Sequence, residues 1–208
     1  MASGTSLGGD ARTGPHTREG MNCAAGLAVF GLGAETVVAR LGSRSWQVVV
    51  GQSHYVLKVG SSGPASDGVL NEARCLRVCT DRVIDLSEGP SGAALLLRFV
   101  AGSPLSVETP APAIAIYREL AELHFRGFVF CDLTPANVVL DGDQIDLIDW
   151  EYCCERGADL GALLRRPYSS GFTHPDLIWG RGSADTNIDL FALDRMIALG
   201  FVIRKTLT

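Results

Sequence analysis

"FVFCDLTPANVVLDGDQIDLIDW", residues 128–150, reads as two short apolar strands broken by polar groups that a buried hairpin does not need. Asp141-Gly142 supplies the positive φ of a tight turn, so "NVVL" and "QIDLID" predict the two arms of a hairpin. Asp132 and Asn137 fall on the loop before it and Asp149 ends its second strand. A hairpin brings its two ends together, which sets Asn137 beside Asp149 with Asp132 close by.

A cluster of this kind suits a magnesium-nucleotide. Magnesium is hard, prefers oxygen, and is usually held by one or two protein groups together with phosphates. Phosphoryl transfer needs that charge neutralisation and a carboxylate to orient the attacking hydroxyl.

Upstream, "LAVFGLGAETVVARLG", "WQVVVG" and "HYVLKVG" are Val-rich runs between Gly and Ser turns, which predicts an antiparallel meander of about three strands over 27–60. "SDGVLNEARCLRVCTD" has apolar residues at helical spacing, and "SGAALLLRFVAGSPL" reads as a buried strand leaving through Gly102. "APAIAIYRELAELHFRG" begins with Pro112, carries Ile116, Leu120 and Leu123 on one face and stops at Gly127, as a helix does. Downstream, helices are expected at 158–165 and from about 187 to 205, with irregular chain between them. Residues 1–22, rich in Gly, Ser, Thr and charge, are expected to form a flexible tail. Strands in the first half and helices in the second argue for α+β rather than alternating βαβ units.

The 208 residues are 47% hydrophobic, enough for a sizeable core in one domain or two small lobes. The 18 Lys and Arg against 23 Asp and Glu leave a formal charge of -5, which argues against general nucleic-acid binding. No apolar run reaches the roughly 20 residues of a membrane span, and no secretory leader is legible, so an intracellular, cytoplasmic protein is expected. The six cysteines form neither paired CxxC units nor a disulfide scaffold, so reduced, partly buried thiols are expected.

"CDLTPAN" followed by "LIDW" resembles the catalytic loop and metal-binding aspartate of the protein-kinase-like superfamily. The resemblance makes Asp132 the catalytic aspartate, and Asn137 and Asp149 the metal ligands. "YVLKVG" is similar to the strand whose lysine holds the α and β phosphates, here Lys58, and Glu72 in "NEAR" matches the helical glutamate that pairs with it. "FGLGAETVV" resembles the Gly-rich loop, with Gly31 and Gly33 over the phosphates and Val38 on the base. Pro175 and Asp176 match the end of A-P-E, and Asp189 matches the aspartate that, in the family, holds the backbone of the catalytic loop. The likeness covers about 27–205 and implies a bilobal fold: an antiparallel N-lobe at 23–101 and a truncated helical C-lobe at 102–208. It implies ATP and Mg2+ as cofactors and a protein Ser or Thr hydroxyl as acceptor.

Several positions depart from the family. Phe130 stands where it usually has His and Cys131 where it has Arg or Gly, Thr36 replaces the third glycine, and Trp150-Glu151 replace Phe-Gly. The missing arginine implies no control by activation-loop phosphorylation. "LIDWEYC" with "GADLGALL" resembles aminoglycoside and choline phosphotransferases instead, so a small-molecule acceptor is the rival expectation and a nucleotide-binding pseudokinase scaffold a third. The short C-lobe implies a partner protein covering an exposed face.

Overall fold

The computed structural model describes residues 21–204. The tail expected at 1–22 lies outside these residues apart from its last two positions, which are ordered into the fold. Met21 packs on the cluster beneath the sheet, and the Asn22 side chain accepts a hydrogen bond from the Ala25 N–H, capping helix α1 (Cys23–Val29). This helix corrects the strand expected to begin at residue 27. Leu27 is buried as that reading required, but on a helix whose Gly26 packs so close to Val59 that an added side chain would force Val59 to shift.

Strands β1 (Val37–Arg40), β2 (Ser45–Val50) and β3 (Ser53–Ser61) form the meander. Helix α2 (Pro64–Cys79) follows, with Pro in its first turn, then β4 (Val83–Gly89) and β5 (Gly92–Arg98). The sheet order is β1-β2-β3-β5-β4, antiparallel throughout. Interior strand β5 is buried on both faces, and its alternation divides it between two cores. Ala94 and Leu96 face the cluster under α1, while Ala93, Leu95 and Leu97 face the cluster under α2. At Gly60 an added Cβ would lie 2.1 Å from the Ala65 carbonyl, so only glycine lets β3 run this close to the start of α2.

The second half opens with the short strands β6 (Ser103–Pro104) and β7 (Ala111–Pro112), then α3 (Ala113–Phe125) and β8 (Phe128–Val129). Helix α3 is as expected: Ile116, Leu120 and Leu123 are its buried residues, and Gly127 follows at φ 85. Burying each such side chain contributes about 1.5–3 kcal/mol. The hairpin of β9 (Val138–Asp141) and β10 (Gln144–Leu147) also forms, closing through Gly142-Asp143 because Asp141 pairs with Gln144.

Beyond it lie β11 (Cys154–Glu155), α4 (Pro175–Trp179), α5 (Thr186–Ala198) and β12 (Val202–Ile203). The helix expected at 158–165 does not form. Asp159 Oδ1 captures the Gly161 N–H, Leu160 N–H donates to Gly182 and Ala184 N–H to Ala158, which fixes the segment as a loop laced to 182–184. Helix α5 stops at Ala198 instead of running to 205, since Gly200 turns at φ 83 and Val202 then pairs in parallel with Ala111.

The protein is thus mixed α+β with a mostly antiparallel sheet. Its largest apolar cluster is shared by both halves: Leu76 of α2 and Leu95 of β5 belong to it together with Leu120 of α3, Leu147 of β10 and Met196 of α5. All six cysteines are free thiols, four of them buried. No helix among the described residues is long and apolar enough to cross a membrane.

Candidate functional site

Lys58 sits in β3 opposite Ser45 of β2. Across from it, α2 buries Val69, Glu72, Ala73 and Leu76, a helical stripe in which Glu72 is the one charged member. That periodicity carries Glu72 to the sheet. Lys58 Nζ donates to Glu72 Oε1 and Oε2 at 2.8 and 2.7 Å, and to Asp149 Oδ1 at 2.7 Å. The Trp150 N–H donates to Glu72 Oε1 at 3.2 Å, tying the end of the hairpin to α2.

One ammonium among two carboxylates leaves a surplus negative charge. Burial works against the charged Lys58, yet Glu72 and Asp149 outweigh it and hold its pKa above the usual lysine value. Burial also pushes the Glu72 carboxyl up, with Asp149 adding to the effect against the pull of Lys58. A cation beside Asp149, whose side chain is 45% exposed, would relieve that surplus.

The hairpin juxtaposes its ends as expected, for the Ile148 N–H donates to the Asn137 carbonyl at 2.9 Å. Asn137 Nδ2 donates to Asp132, to its carbonyl at 2.9 Å and to Oδ2 at 3.1 Å, which leaves Asn137 Oδ1 as the atom able to meet a metal. Asp149 likewise spends Oδ1 on Lys58 and keeps Oδ2. Two oxygens on this donor set fit magnesium, which takes its remaining ligands from phosphates and water. No group of three or more His, Cys, Asp or Glu side chains poised to hold a metal occurs among the described residues.

Asp132 faces the same region. Burial raises its pKa to about 6; hydrogen bonds from Ser169 and Asn137 oppose the rise, and the charges of Asp149 and Glu151 add to it. Ser169 Oγ donates to Asp132 Oδ1 at 2.9 Å.

Cys131 at φ 69 and Asp149 at φ 63 are the non-glycine residues with positive φ among those described, and both border the site. Aspartate tolerates that conformation through its short polar side chain. Cys131 is held in it by Asp189, which is wholly buried: Asp189 Oδ1 accepts from the Cys131 N–H and Oδ2 from the Phe130 N–H, both at 2.8 Å. His124 Nε2 lies 2.8 Å from the same Oδ2. Phe130 is fully buried and meets Trp150 edge to face at 5.6 Å, so these two aromatic residues pack on each other beside the site.

Gly31, Gly33 and Val38 are not brought to this cluster. Gly31 and Gly33 lie in the turn between α1 and β1, and Val38 is 55% exposed. Val37 pairs with Val48, which pairs with Tyr55, three residues along β3 from Lys58 and so about 10 Å away. The turn that does reach Lys58 joins β1 to β2: Gly42, Ser43, Arg44 and Ser45 line a cavity of about 180 Å³ with Lys58, Glu72, Asp149 and Glu151. It has room for part of a nucleotide, since pockets for whole ligands run from roughly 300 Å³ upward. A separate cavity of about 390 Å³ between α2 and segment 151–165 shares Glu151 but none of the Lys58, Glu72, Asp149 or Asp132 side chains.

Three participants escaped the sequence reading. Arg44 Nη2 and Arg165 Nη1 each lie 3.0 Å from Glu151 Oε2, clamping that carboxylate between the β1–β2 turn and the loop after β11. Ser169 is the third. "LGSRS" could have been found as the turn preceding the strand paired with Lys58; nothing local marks Arg165 or Ser169, which arrive through tertiary contacts.

No protein-family model matches this sequence, and no curated protein matches it.

Proposed function

We propose that the chain is an ATP- and magnesium-dependent phosphotransferase with a bilobal, protein-kinase-like fold, acting on a Ser or Thr hydroxyl of a protein. The observation that carries this reading is the convergence of Lys58, Glu72 and Asp149 within hydrogen-bond distance, beside the Asp132–Asn137 pair. The five side chains are spread over residues 58–149, and a purely structural role does not call for two carboxylates on one lysine.

In this reading Glu72 orients Lys58 toward the phosphates, and Asn137 Oδ1 with Asp149 Oδ2 holds the metal. Magnesium, when bound, supplies charge neutralisation along the phosphates. Asp132 orients the acceptor hydroxyl and takes its proton; with its pKa near 6 it is largely ionised at neutral pH and still basic enough to serve. The turn at Gly42–Ser45 replaces Gly31 and Gly33 as the chain's cover over the phosphates, because it lines the cavity with Lys58.

The test is transfer of labelled phosphate from ATP to candidate proteins, with magnesium and against an Asp132→Ala control. Transfer above the control supports the reading. Transfer confined to amino sugars or small alcohols replaces the acceptor with a small molecule, and nucleotide binding indifferent to magnesium with no transfer at all replaces the enzyme with a scaffold.

A further inference from the structure

A cavity of about 560 Å³ lies between the start of α1 and the strands β1, β2 and β3. Arg40, Ser43, Arg44, Trp46 and Ser61 line it together with residues 21–24, and no Asp or Glu is among the lining residues. Arg44 is spent, its Nη1 donating to the Ala65 carbonyl at 3.2 Å and its Nη2 to Glu151 Oε2 at 3.0 Å. Arg40 is not. Its Nε and Nη2 donate to the Gly42 and Ser43 carbonyls at 2.9 and 3.2 Å, which fixes the guanidinium against the β1–β2 turn, and no carboxylate pairs with it among the described residues. Arg40 Nη1, the Trp46 indole N–H and the Ser43 and Ser61 hydroxyls have no hydrogen-bond partner among the described residues, so what this lining offers a ligand is donors and one uncompensated positive charge.

We propose that this cavity binds a small organic oxyanion, a phosphate or carboxylate carried on an aromatic ring. Arginine keeps its charge, and its planar fork matches both oxyanions. Because the turn already anchors Arg40, little side-chain freedom is lost on binding. The indole of Trp46 supplies a flat apolar wall with an N–H at its edge. Burial pushes the Cys23 thiol up, so it adds no negative charge to the lining at neutral pH. The volume falls within the roughly 300–1,000 Å³ of small-molecule sites. Such a site stands whether or not the chain transfers phosphate.

The cavity between α2 and segment 151–165 differs in this respect, for its Arg165 and Arg74 are taken up by Glu151 and Glu155. Ser43, Arg44 and Val59 line both the anion cavity and the one beside Lys58. Trp46 and Val59 pack in the cluster under α1, whereas Lys58 faces α2. A bound anion therefore holds the β1–β2 turn from the side away from Lys58.

The experiment is titration of the full chain, without nucleotide or magnesium, with phenyl phosphate, benzoate, inorganic phosphate and benzylamine. The indole N–H resonances of the three tryptophans report by NMR, assigned with the help of Trp46→Phe. Expected is a saturable shift of the Trp46 resonance with phenyl phosphate or benzoate, the probe that acts more strongly naming the preferred oxyanion. Inorganic phosphate, which lacks the ring, should act more weakly, and benzylamine, which keeps the ring and reverses the charge, not at all. Arg40→Gln should raise the half-saturating concentration roughly tenfold, the worth of one hydrogen bond to a charged group, and leave the melting temperature of the unliganded protein unchanged. Arg40→Lys, which keeps the charge and loses the fork, should fall between. A Trp46 resonance unmoved by millimolar probe, an equal response to benzylamine, or an affinity unchanged in Arg40→Gln overturns the proposal. So does a shift confined to Trp150, which would put the anion beside Glu72 and Lys58 instead. The comparison with benzylamine is made on the wild type and decides the matter even if a variant fails to fold, and none of these results bears on the test of phosphate transfer.

Discussion

The carboxylate of Asp189 accepts a 2.8 Å hydrogen bond from the backbone N–H of Cys131, a residue held at φ 69 fifty-eight positions earlier in the chain. Left-handed backbone at a non-glycine residue costs about 1–3 kcal/mol and persists only where its surroundings enforce it. Asp189 provides that enforcement, through Cys131 and Phe130 together.

Asp189→Ala strips both N–H groups, and His124, of their acceptor. Each unsatisfied buried group costs about 1–3 kcal/mol, so a loss of about 3–5 kcal/mol is expected from the midpoint and slope of urea denaturation. A loss under about 1 kcal/mol would mean that the loop stands without this anchor.

Lys58→Met leaves Glu72, 2% exposed, without its cation. Removing one member of a buried pair costs about 3–5 kcal/mol. Burial already pushes the Glu72 carboxyl up, so in the variant it folds with its proton: the stability this provides is present at low pH and lost as pH rises through the folded pKa. Denaturation at pH 5 and pH 8 should therefore show the larger deficit at pH 8, and an equal deficit at both would contradict the pairing.

Asp132 has its folded pKa raised from 3.8 to about 6. The folded state then holds the proton more tightly, so this group's contribution is full below about pH 4 and is lost as pH rises through 6. At 1.36 kcal/mol per unit the loss is at most about 3 kcal/mol. Asp132→Asn removes it, so the difference in melting temperature between variant and wild type should shift in the variant's favour from pH 4 to pH 8. Under the proposed phosphotransferase function, phosphate transfer should climb in the opposite sense, levelling above an apparent pKa near 6.

Arg44 and Arg165 share Glu151 Oε2. Either alone can keep that carboxylate paired, and the Arg44 side chain is 36% exposed, where solvent screening holds such pairs to about 1 kcal/mol or less. The double substitution Arg44→Ala/Arg165→Ala should cost more than the two single ones added together. A double-mutant cycle reads the coupling directly, and strict additivity would show that the two arginines act independently.

How far the sequence foretold all this depended on where each signal lay. Helix α3 and the β9–β10 hairpin were legible because their determinants are local: Ile116, Leu120 and Leu123 at helical spacing before Gly127, and a glycine at the turn. The convergence of Lys58 with Glu72 was expected from the resemblance alone, and a strand and a helix bring the two side chains together. Local pattern misled where a cap or a distant partner decided. Asn22 capped a helix over Leu27, Asp159 turned its carboxylate onto the Gly161 N–H and unmade a helix, and Gly200 ended α5 early. Strand β4 went unread because Asp85, Ser87 and Glu88 interrupt its apolar residues, as polar residues commonly do on an edge strand. The pattern around Gly31 and Gly33 carries no register; pairing Ser45 with Lys58 puts the turn at Gly42, not Gly31 and Gly33, on the cavity beside that lysine.

Leu95 of the sheet, Leu76 of the helix behind it, and Leu120 and Met196 of the helical half belong to one apolar body. Halves that interlock in this way cannot melt in turn. Heat is expected to take the whole fold apart at a single temperature, with a calorimetric enthalpy equal to the van't Hoff value, and local opening of the cavity beside Lys58 is expected at its rim, where the β1–β2 turn and the loop after β11 meet at Glu151.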